Sequence, residues 1–126
     1  MSALVVDTSS WIAWLAGAGS SLVDEALEEG RLHLPVIVAA ELLSGRLADS
    51  ERTDLQDMLS DLPAVGTDAE HWFRVGKLRA ELRAKGLSVS TPDAHVAQCA
   101  IDTGGALLTE DRVFEKIAKA VPLRLA

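Results

Sequence analysis

The first apolar run of the chain lies in Ala3-Leu4-Val5-Val6-Asp7-Thr8-Ser9-Ser10, where four uncharged residues lead into a carboxylate and three hydroxyl side chains. An apolar run of this length with two valines is typical of a strand buried on both faces of a sheet. Its hydroxyl residues favour a helix N-cap, so we expect a helix over Trp11–Leu15 directly after the strand. The run Ala106–Thr109, followed by Glu110 and Asp111, repeats the strand pattern near the other end of the chain.

Helix-like and strand-like segments alternate along the rest of the sequence. Apolar periodicity and capping residues predict helices over residues 21–29, 35–46, 49–62, 68–85, 91–103 and 112–120, and further strands over 32–34, 63–66 and, at an edge, 122–125. Pro35 is expected as a first helical residue. Short strands that alternate with helices indicate a parallel sheet with helices on both faces. The predicted fold class is therefore α/β, a three-layer α/β/α sandwich whose central, mostly parallel sheet has four to five short strands.

The composition predicts one soluble domain that covers residues 1–126. The chain is 48% hydrophobic and 25% charged, far from the composition of disordered proteins. Cys99 is the only cysteine, which excludes an intramolecular disulfide and a multi-cysteine metal site. No stretch of the sequence is typical of a signal peptide or a membrane span, which predicts a cytoplasmic protein without membrane contact.

The charged residues are unevenly distributed along the chain. The net charge of −7 argues against a plain electrostatic nucleic-acid binder. Residues 1–73 hold 3 basic and 13 acidic side chains, whereas residues 74–126 hold 9 basic and 6 acidic ones. This division predicts either a solvated basic helix face or a basic surface beside a concentrated acidic site.

Four acids lie within apolar sequence instead of solvated charge runs. Asp7 ends one predicted strand and Asp111 lies two residues past another, and ligands bind at the carboxyl ends of strands in open parallel sheets. Asp93 lies at a helix N-terminus, where its charge could simply complement the helix dipole. Glu41 lies in the apolar helical run Pro35–Leu43, where a buried unpaired carboxylate would be strongly disfavoured. Taken together, the four acids favour one shared site over four separate structural roles.

A cluster of carboxylates implies bound cations. Two like charges about 4 Å apart repel by roughly 4 kcal/mol at an effective dielectric near 20. Oxygen ligands select Mg²⁺ or Mn²⁺, as one or two ions, and the sequence lacks the paired His or Cys spacing that is typical of zinc sites. Divalent ions held at an open sheet edge suit phosphate chemistry, because they activate water and stabilise the leaving oxygen.

The segments around these acids resemble a known family. The four segments are Val5-Val6-Asp7-Thr8-Ser9, Ala40-Glu41-Leu42, Pro92-Asp93-Ala94 with Val96-Ala97, and Leu107-Leu108-Thr109-Glu110-Asp111 with Phe114. They are similar to the four acidic motifs of PIN domains, and their order, spacing and total length resemble the small VapC-type toxins of toxin–antitoxin modules. The resemblance covers the whole chain.

The resemblance implies a Mg²⁺- or Mn²⁺-dependent endoribonuclease, the toxin of a toxin–antitoxin module, that hydrolyses an RNA phosphodiester with a metal-activated water. It also implies a homodimer and a cognate antitoxin protein. The catalytic and metal-binding acids that it implies are Asp7, Glu41, Asp93 and Asp111. The hydroxyl residues that would order these carboxylates or a bound water are Thr8 or Ser9, and Thr109.

Other polar residues have a structural interpretation, alone or beside a functional one. His95 and Cys99 stand where the family pattern has aliphatic or small apolar residues. We interpret Cys99 as a small core residue and His95 as a packing or helix-surface residue. Four basic residues are possible contacts for the RNA backbone, with a solvated helix face as the alternative. They are Arg46, Lys77, Arg79 and Arg83.

Two other functions stay open at this level. One is a metal-dependent phosphohydrolase of small phosphate esters, although the aspartyl-phosphate class expects a second Asp where Ser9 stands. The other is a non-catalytic binding module with an acidic pocket, although receiver domains need adjacent N-terminal acids and Asp7 has no acidic neighbour. Mg²⁺-dependent cleavage of RNA would separate the nuclease from both.

Overall fold

The computed structural model describes residues 2–126, which contain four strands and seven helices. The strands are β1 (Leu4–Val6), β2 (Leu32–Pro35), β3 (Ala64–Val65) and β4 (Ala106–Leu108). The helices are α1 (Thr8–Leu15), α2 (Ser21–Glu28), α3 (Val36–Leu43), α4 (Asp49–Ser60), α5 (Ala69–Ala84), α6 (Thr91–Thr103) and α7 (Val113–Ala120). Within residues 2–126, no helix is both long and apolar enough to cross a membrane.

The four strands form one parallel sheet in the order β3-β2-β1-β4. The register places Leu4 beside Leu32 on one side and beside Ala106 on the other. Beyond β4, the predicted edge strand at 122–125 is reduced to a single parallel bridge between Leu107 and Leu125. The predicted α/β fold, with a mostly parallel sheet of four to five short strands, is confirmed, and residues 2–126 contain four of them.

The central strand β1 explains why the sheet needs helices on both faces. Successive side chains of a strand point to opposite faces. Leu4, Val5 and Val6 are all buried, so both faces of β1 are covered. Helix α6 packs against β1, β2 and β4, and its residues 94–100 are buried without a break, which makes it the central helix of one layer.

Two of the helix starts that differ from the sequence-based prediction lie directly after strands. Helix α1 begins at Thr8, because the Asp7 carbonyl already accepts hydrogen bonds from the amides of Ser10 and Trp11. Asp7 itself therefore occupies the N-cap position. Pro35 is the last residue of β2 with an extended backbone (ψ 133°), so it precedes α3 and is not its first helical residue. Both strands thus pass into helices without an intervening loop.

Candidate active site

The strand-to-helix junctions place the four acids at one edge of the sheet. Asp7 follows β1 and Asp111 follows β4, and the carboxyl ends of neighbouring parallel strands meet at the same edge. Glu41 lies in the second turn of α3, which starts directly after β2. Asp93 lies in the first turn of α6.

Asp7 is held by hydroxyl groups from two parts of the chain. Its side chain is only 7% exposed. Its Oδ2 atom accepts hydrogen bonds from Ser9 Oγ (3.0 Å) and from Thr109 Oγ1 (3.0 Å), which lies just past β4. These bonds satisfy the buried carboxylate and fix its orientation.

The same two hydroxyl groups also hold the loop that carries Asp111. The amide of Glu110 donates to Ser9 Oγ (3.1 Å), and the amide of Asp111 donates to Thr109 Oγ1 (3.0 Å). The Asp111 carboxylate in turn accepts from the amide of Val113 (3.0 Å). Asp7 and Asp111 are therefore positioned through shared hydroxyl partners.

Glu41 is joined to the same edge through Thr8, whose Oγ1 donates to Glu41 Oε1 at 2.9 Å. The sequence-based expectation that Glu41 would be buried is wrong, because its side chain is exposed. Only Val38 and Leu42 of α3 are buried, so the apolar run does not mark a fully buried helix. An exposed Glu41 avoids the desolvation cost of a buried charge and lies at the rim of the acidic edge.

The raised pKa of Asp93 shows that the charges of the other three acids act on it. Burial is the largest cause that raises the pKa of Asp93. A hydrogen bond with the Ser90 side chain opposes this rise, whereas the charges of Asp111, Asp7 and Glu41 add to it. The donor set is made of carboxylate and hydroxyl oxygens, which suits a hard divalent cation such as Mg²⁺ or Mn²⁺.

The basic residues considered as RNA contacts occupy different settings. The Arg79 guanidinium donates to the carbonyl of Val89 (2.9 Å), so it is already used in holding the segment before α6. Lys77 lines a cavity together with Ile101 and Val121. Arg46 and Arg83 are exposed.

A second polar cluster lies in the core between α5 and α6. The carboxylate of Asp102 accepts from His71 Nδ1 (3.0 Å), and His71 Nε2 accepts from His95 Nδ1 (2.7 Å). His95 Nε2 faces the amide of Ile37 at 3.5 Å, and Cys99 Sγ lies 3.7–3.9 Å from the histidine nitrogens. The cluster could not be predicted from spacing in the sequence, because His71 and His95 are 24 residues apart. The one local signal was the four-residue separation of His95 and Cys99, which places both on the same face of a helix.

Burial and neighbouring charges set the protonation of this cluster. Burial, followed by the proximity of His71, lowers the pKa of His95 to about 4, so its ring is neutral at pH 7. Burial also raises the pKa of Cys99 and keeps it a thiol. Burial would raise the pKa of Asp102, but hydrogen bonds from Arg74, Gln98 and His71 outweigh that effect and lower it.

Comparisons with known proteins identify the family of the chain. A family model described as PIN domain matches residues 4–120. The chain is 31% identical over 130 residues to VapC ribonuclease Mb1587 of Mycobacterium bovis and to Ribonuclease VapC11 of Mycobacterium tuberculosis, covering 98% of this chain and 97% of each relative.

Solved structures show the same fold. The DNA-bound VapBC of Salmonella typhimurium aligns with a TM-score of 0.81 at 24% identity, over 100% of this chain and 98% of that chain. VapBC2 of Rickettsia felis, bound to a promoter DNA fragment, aligns with a TM-score of 0.76 at 24% identity, over 98% and 96% of the two chains. Together with the family model and the ribonuclease relatives, these likenesses lead to one conclusion. The chain belongs to the PIN domain family.

Proposed function

We propose that this chain is a metal-dependent endoribonuclease and the toxin of a toxin–antitoxin module. The observation that carries the proposal is the convergence of four acids from separate segments at one sheet edge. The charges of Asp7, Glu41 and Asp111 add to the rise that burial causes in the pKa of Asp93, and the Thr109 hydroxyl donates to Asp7 and accepts from the amide of Asp111. Relatives of nearly the same length are named ribonucleases. The small-ester phosphohydrolase and the binding module have no such support.

The acidic edge fits one or two Mg²⁺ or Mn²⁺ ions. Asp7, Asp93 and Asp111 would hold the metal, with Glu41 at the rim. Both hydroxyl bonds to Asp7 use Oδ2, so Oδ1 can serve as a ligand. When bound, such an ion lowers the pKa of water and neutralises charge on a phosphate.

The chain's own residues then orient the reaction. Ser9 and Thr109 hold the Asp7 carboxylate in one orientation, and Thr8 holds one oxygen of Glu41. Because Glu41 is exposed at the rim, its other oxygen can take a proton from an attacking water. A site fixed by hydrogen bonds before substrate arrives needs little reorganisation during the reaction.

Partners of this chain are part of the same proposal. An apolar groove beside Glu41 is lined by Ile12, Leu15, Leu42 and Leu55, and Ile12 and Leu15 are exposed. Such a surface next to the acidic edge would suit a cognate antitoxin. We further propose that residues 1–126 act as a single domain in the cytoplasm, as a homodimer, and that Arg46, Lys77, Arg79 and Arg83 are the candidate contacts for RNA.

The proposal is tested by cleavage of a randomised RNA pool with purified protein in Mg²⁺ or Mn²⁺, with product ends read by sequencing. We expect cleavage that EDTA abolishes and that Asp7→Asn reduces by about 10²-fold or more, since the variant loses a metal ligand. The matched control is Asp57→Asn, which removes an exposed acid of α4.

Three outcomes would contradict the nuclease. They are an intact RNA pool in both metals, full activity in folded Asp7→Asn, and equal losses in the two variants. Hydrolysis of a nitrophenyl phosphate with intact RNA would support the small-ester alternative instead.

A further inference from the structure

The polar cluster between α5 and α6 gathers the chain's only cysteine and two of its three histidines. His71, His95 and Cys99 are each at most 1% exposed, in a core that is otherwise mostly apolar. Their ligand atoms all lie within 4.8 Å of one another. Nitrogen and sulfur donors that converge inside a protein are the usual ligands of borderline and soft metal ions.

The separations of these atoms fit a single ion. His71 Nε2 and His95 Nδ1 are 2.7 Å apart, and Cys99 Sγ lies 3.9 Å from each. By triangulation, one point lies about 2.0 Å from both nitrogens and about 2.2 Å from the sulfur, close to zinc–nitrogen and zinc–sulfur bond lengths. Two movements would complete the site. The nitrogens would have to separate to about 3.3 Å to open the angle at the ion to its tetrahedral value. The His95 ring would also have to turn, because Cys99 Sγ lies closer to its Nε2 (3.7 Å) than to its Nδ1 and is therefore off the direction of the Nδ1 lone pair.

The surroundings of the cluster orient the ligands. The bond from His71 Nδ1 to the Asp102 carboxylate leaves Nε2 with its lone pair toward the cluster, an arrangement common around metal-binding histidines. Arg74 and Gln98 hold Asp102 in turn. The ring of Trp72 stacks on His95 with the planes 3° apart.

Gly66 packs directly against the two histidine rings. A Cβ atom at this position would lie 2.3 Å from His95 Cε1 and 3.1 Å from both His71 Nε2 and His95 Nδ1. Any other residue would therefore displace the rings that carry the two nitrogen ligands.

We propose that His71 Nε2, His95 Nδ1 and Cys99 Sγ form a buried site for a thiophilic d¹⁰ cation, Zn²⁺ or Cu⁺, distinct from the acidic edge. Binding releases the Cys99 thiol proton to solvent and moves the His95 proton from Nδ1 to Nε2, so that each ligand atom offers a lone pair. The move gives up the long hydrogen bond that Nε2 accepts from the Ile37 amide (3.5 Å). The thiolate alone neutralises Cu⁺ in the core, whereas Zn²⁺ would leave one positive charge there, because the Asp102 carboxylate already pairs with Arg74.

Cobalt is the probe that separates this site from the acidic edge. Co²⁺ bound to a thiolate gives a sulfur-to-metal charge-transfer band in the near ultraviolet, which carboxylate ligands do not give. Because the ligands are buried, the full chain is refolded from denaturant with Co²⁺ as well as titrated in its native state. We expect a band that saturates at one equivalent and that Zn²⁺ displaces.

Variants assign the band to the cluster. Asp7→Asn, which alters the acidic edge, should keep the band, and Cys99→Ala should lose it while circular dichroism shows a folded protein. Asp102→Asn should weaken Co²⁺ affinity by about 10–100-fold, since it removes the carboxylate that orients His71. Asp57→Asn should leave the affinity unchanged. Competition of loaded protein against chelators specific for Zn²⁺ or Cu⁺ then identifies the preferred ion.

The site is overturned if folded wild-type protein gives no sulfur-to-cobalt band by either route and takes up neither Zn²⁺ nor Cu⁺ in the Asp7→Asn background. A band of equal intensity in folded Cys99→Ala would overturn it as well. Neither result bears on RNA cleavage, so the two proposals succeed or fail separately.

Discussion

Asp93 is the residue at which the electrostatic repulsion at the acidic edge is clearest. Burial disfavours its charged form, and the negative charges of three other acids add to the effect, so its pKa is raised. A bound proton or a bound cation can reduce that repulsion, and both act on the folded state, in which the acids are close together. Metal binding and protonation at this edge should therefore compete.

Competition between protons and metal predicts a pH-dependent thermal shift. At about pH 8, millimolar Mg²⁺ or Mn²⁺ should raise the melting temperature by about 3–10 °C, because the ion binds the folded acids. As the pH falls through the raised pKa of Asp93, the proton relieves the repulsion and the shift should shrink. Differential scanning fluorimetry with and without metal, at a series of pH values from about pH 8 downward, measures this metal-induced shift in melting temperature.

A variant of Asp93 checks the cause of that shift. Asp93→Asn should melt at a higher temperature than wild type without metal and should gain less from Mg²⁺, because one repelling charge is gone. A metal-induced shift that is the same at every pH, or the same in both proteins, would contradict the argument.

Thr109 is the hydroxyl that links the two strand-end acids. Its Oγ1 donates to Asp7 and accepts from the amide of Asp111. Thr109→Val keeps the shape but removes both bonds, so we expect a loss of about 1–3 kcal/mol in the free energy of unfolding. Cleavage should fall by about 10–100-fold because the metal ligands lose their orientation. Urea unfolding and single-turnover cleavage measure the two effects.

Two matched variants test the role of this hydroxyl. Thr109→Ser restores the donor and should recover most of the cleavage rate. Thr53→Val makes the same substitution on α4, where the hydroxyl bonds only to the carbonyl of Asp49, and should leave cleavage unchanged. Wild-type cleavage by Thr109→Val would show that this hydroxyl does not position the acids.

Among the secondary-structure elements, β3 is followed directly by Gly66, at a position where only glycine fits. Gly66 has a φ of +86°, and a Cβ atom there would lie 2.3 Å from the ring of the buried His95. Gly66→Ala should therefore lower the free energy of unfolding by about 2–5 kcal/mol, through left-handed strain plus overpacking. Chemical denaturation measures the loss.

Gly30 provides the matched control for this contact. It has a φ of +68° at the end of α2, but a Cβ atom there would meet nothing within 4 Å. Gly30→Ala should lower stability by only about 1–2 kcal/mol, the strain alone. Equal losses in the two variants would show that the contact with His95 contributes nothing.

The elements that could be predicted from the sequence are those that depend on residues close together in the chain. The buried strands and the helices after them depend on residues adjacent in the chain, so apolar runs and caps predicted the parallel sheet and the position of Asp7 at its edge. The exposure of Glu41 could not be predicted, because it depends on which face of α3 meets the core. The contact between His71 and His95 joins two helices and leaves no local signal.

At the scale of the whole molecule, the net charge and its uneven distribution decide which surface could bind RNA. For the proposed RNA substrate, an acidic chain of net charge −7 would have to rely on local features, which are the cations proposed at the acidic edge and any basic side chains that remain free. Arg79 is engaged with the Val89 carbonyl, so changing it would combine a structural effect with an electrostatic one. Lys77 and Arg83 are exposed and are the better test of the proposed RNA surface.

The paired reversal Lys77→Glu and Arg83→Glu should weaken RNA binding by about tenfold, measured in the Asp7→Asn background to prevent cleavage. If each residue contacts one phosphate of single-stranded RNA, the plot of log binding constant against log salt concentration should also become less steep. Its slope should fall in magnitude by about 1.4, or 0.7 for each lost contact. The Mg²⁺-induced thermal shift in wild-type background should not change. The paired reversal Lys116→Glu and Lys119→Glu on α7 alters the net charge equally at other exposed positions. An equal loss of affinity in both pairs would mean that α5 carries no RNA surface and that only the overall charge is felt.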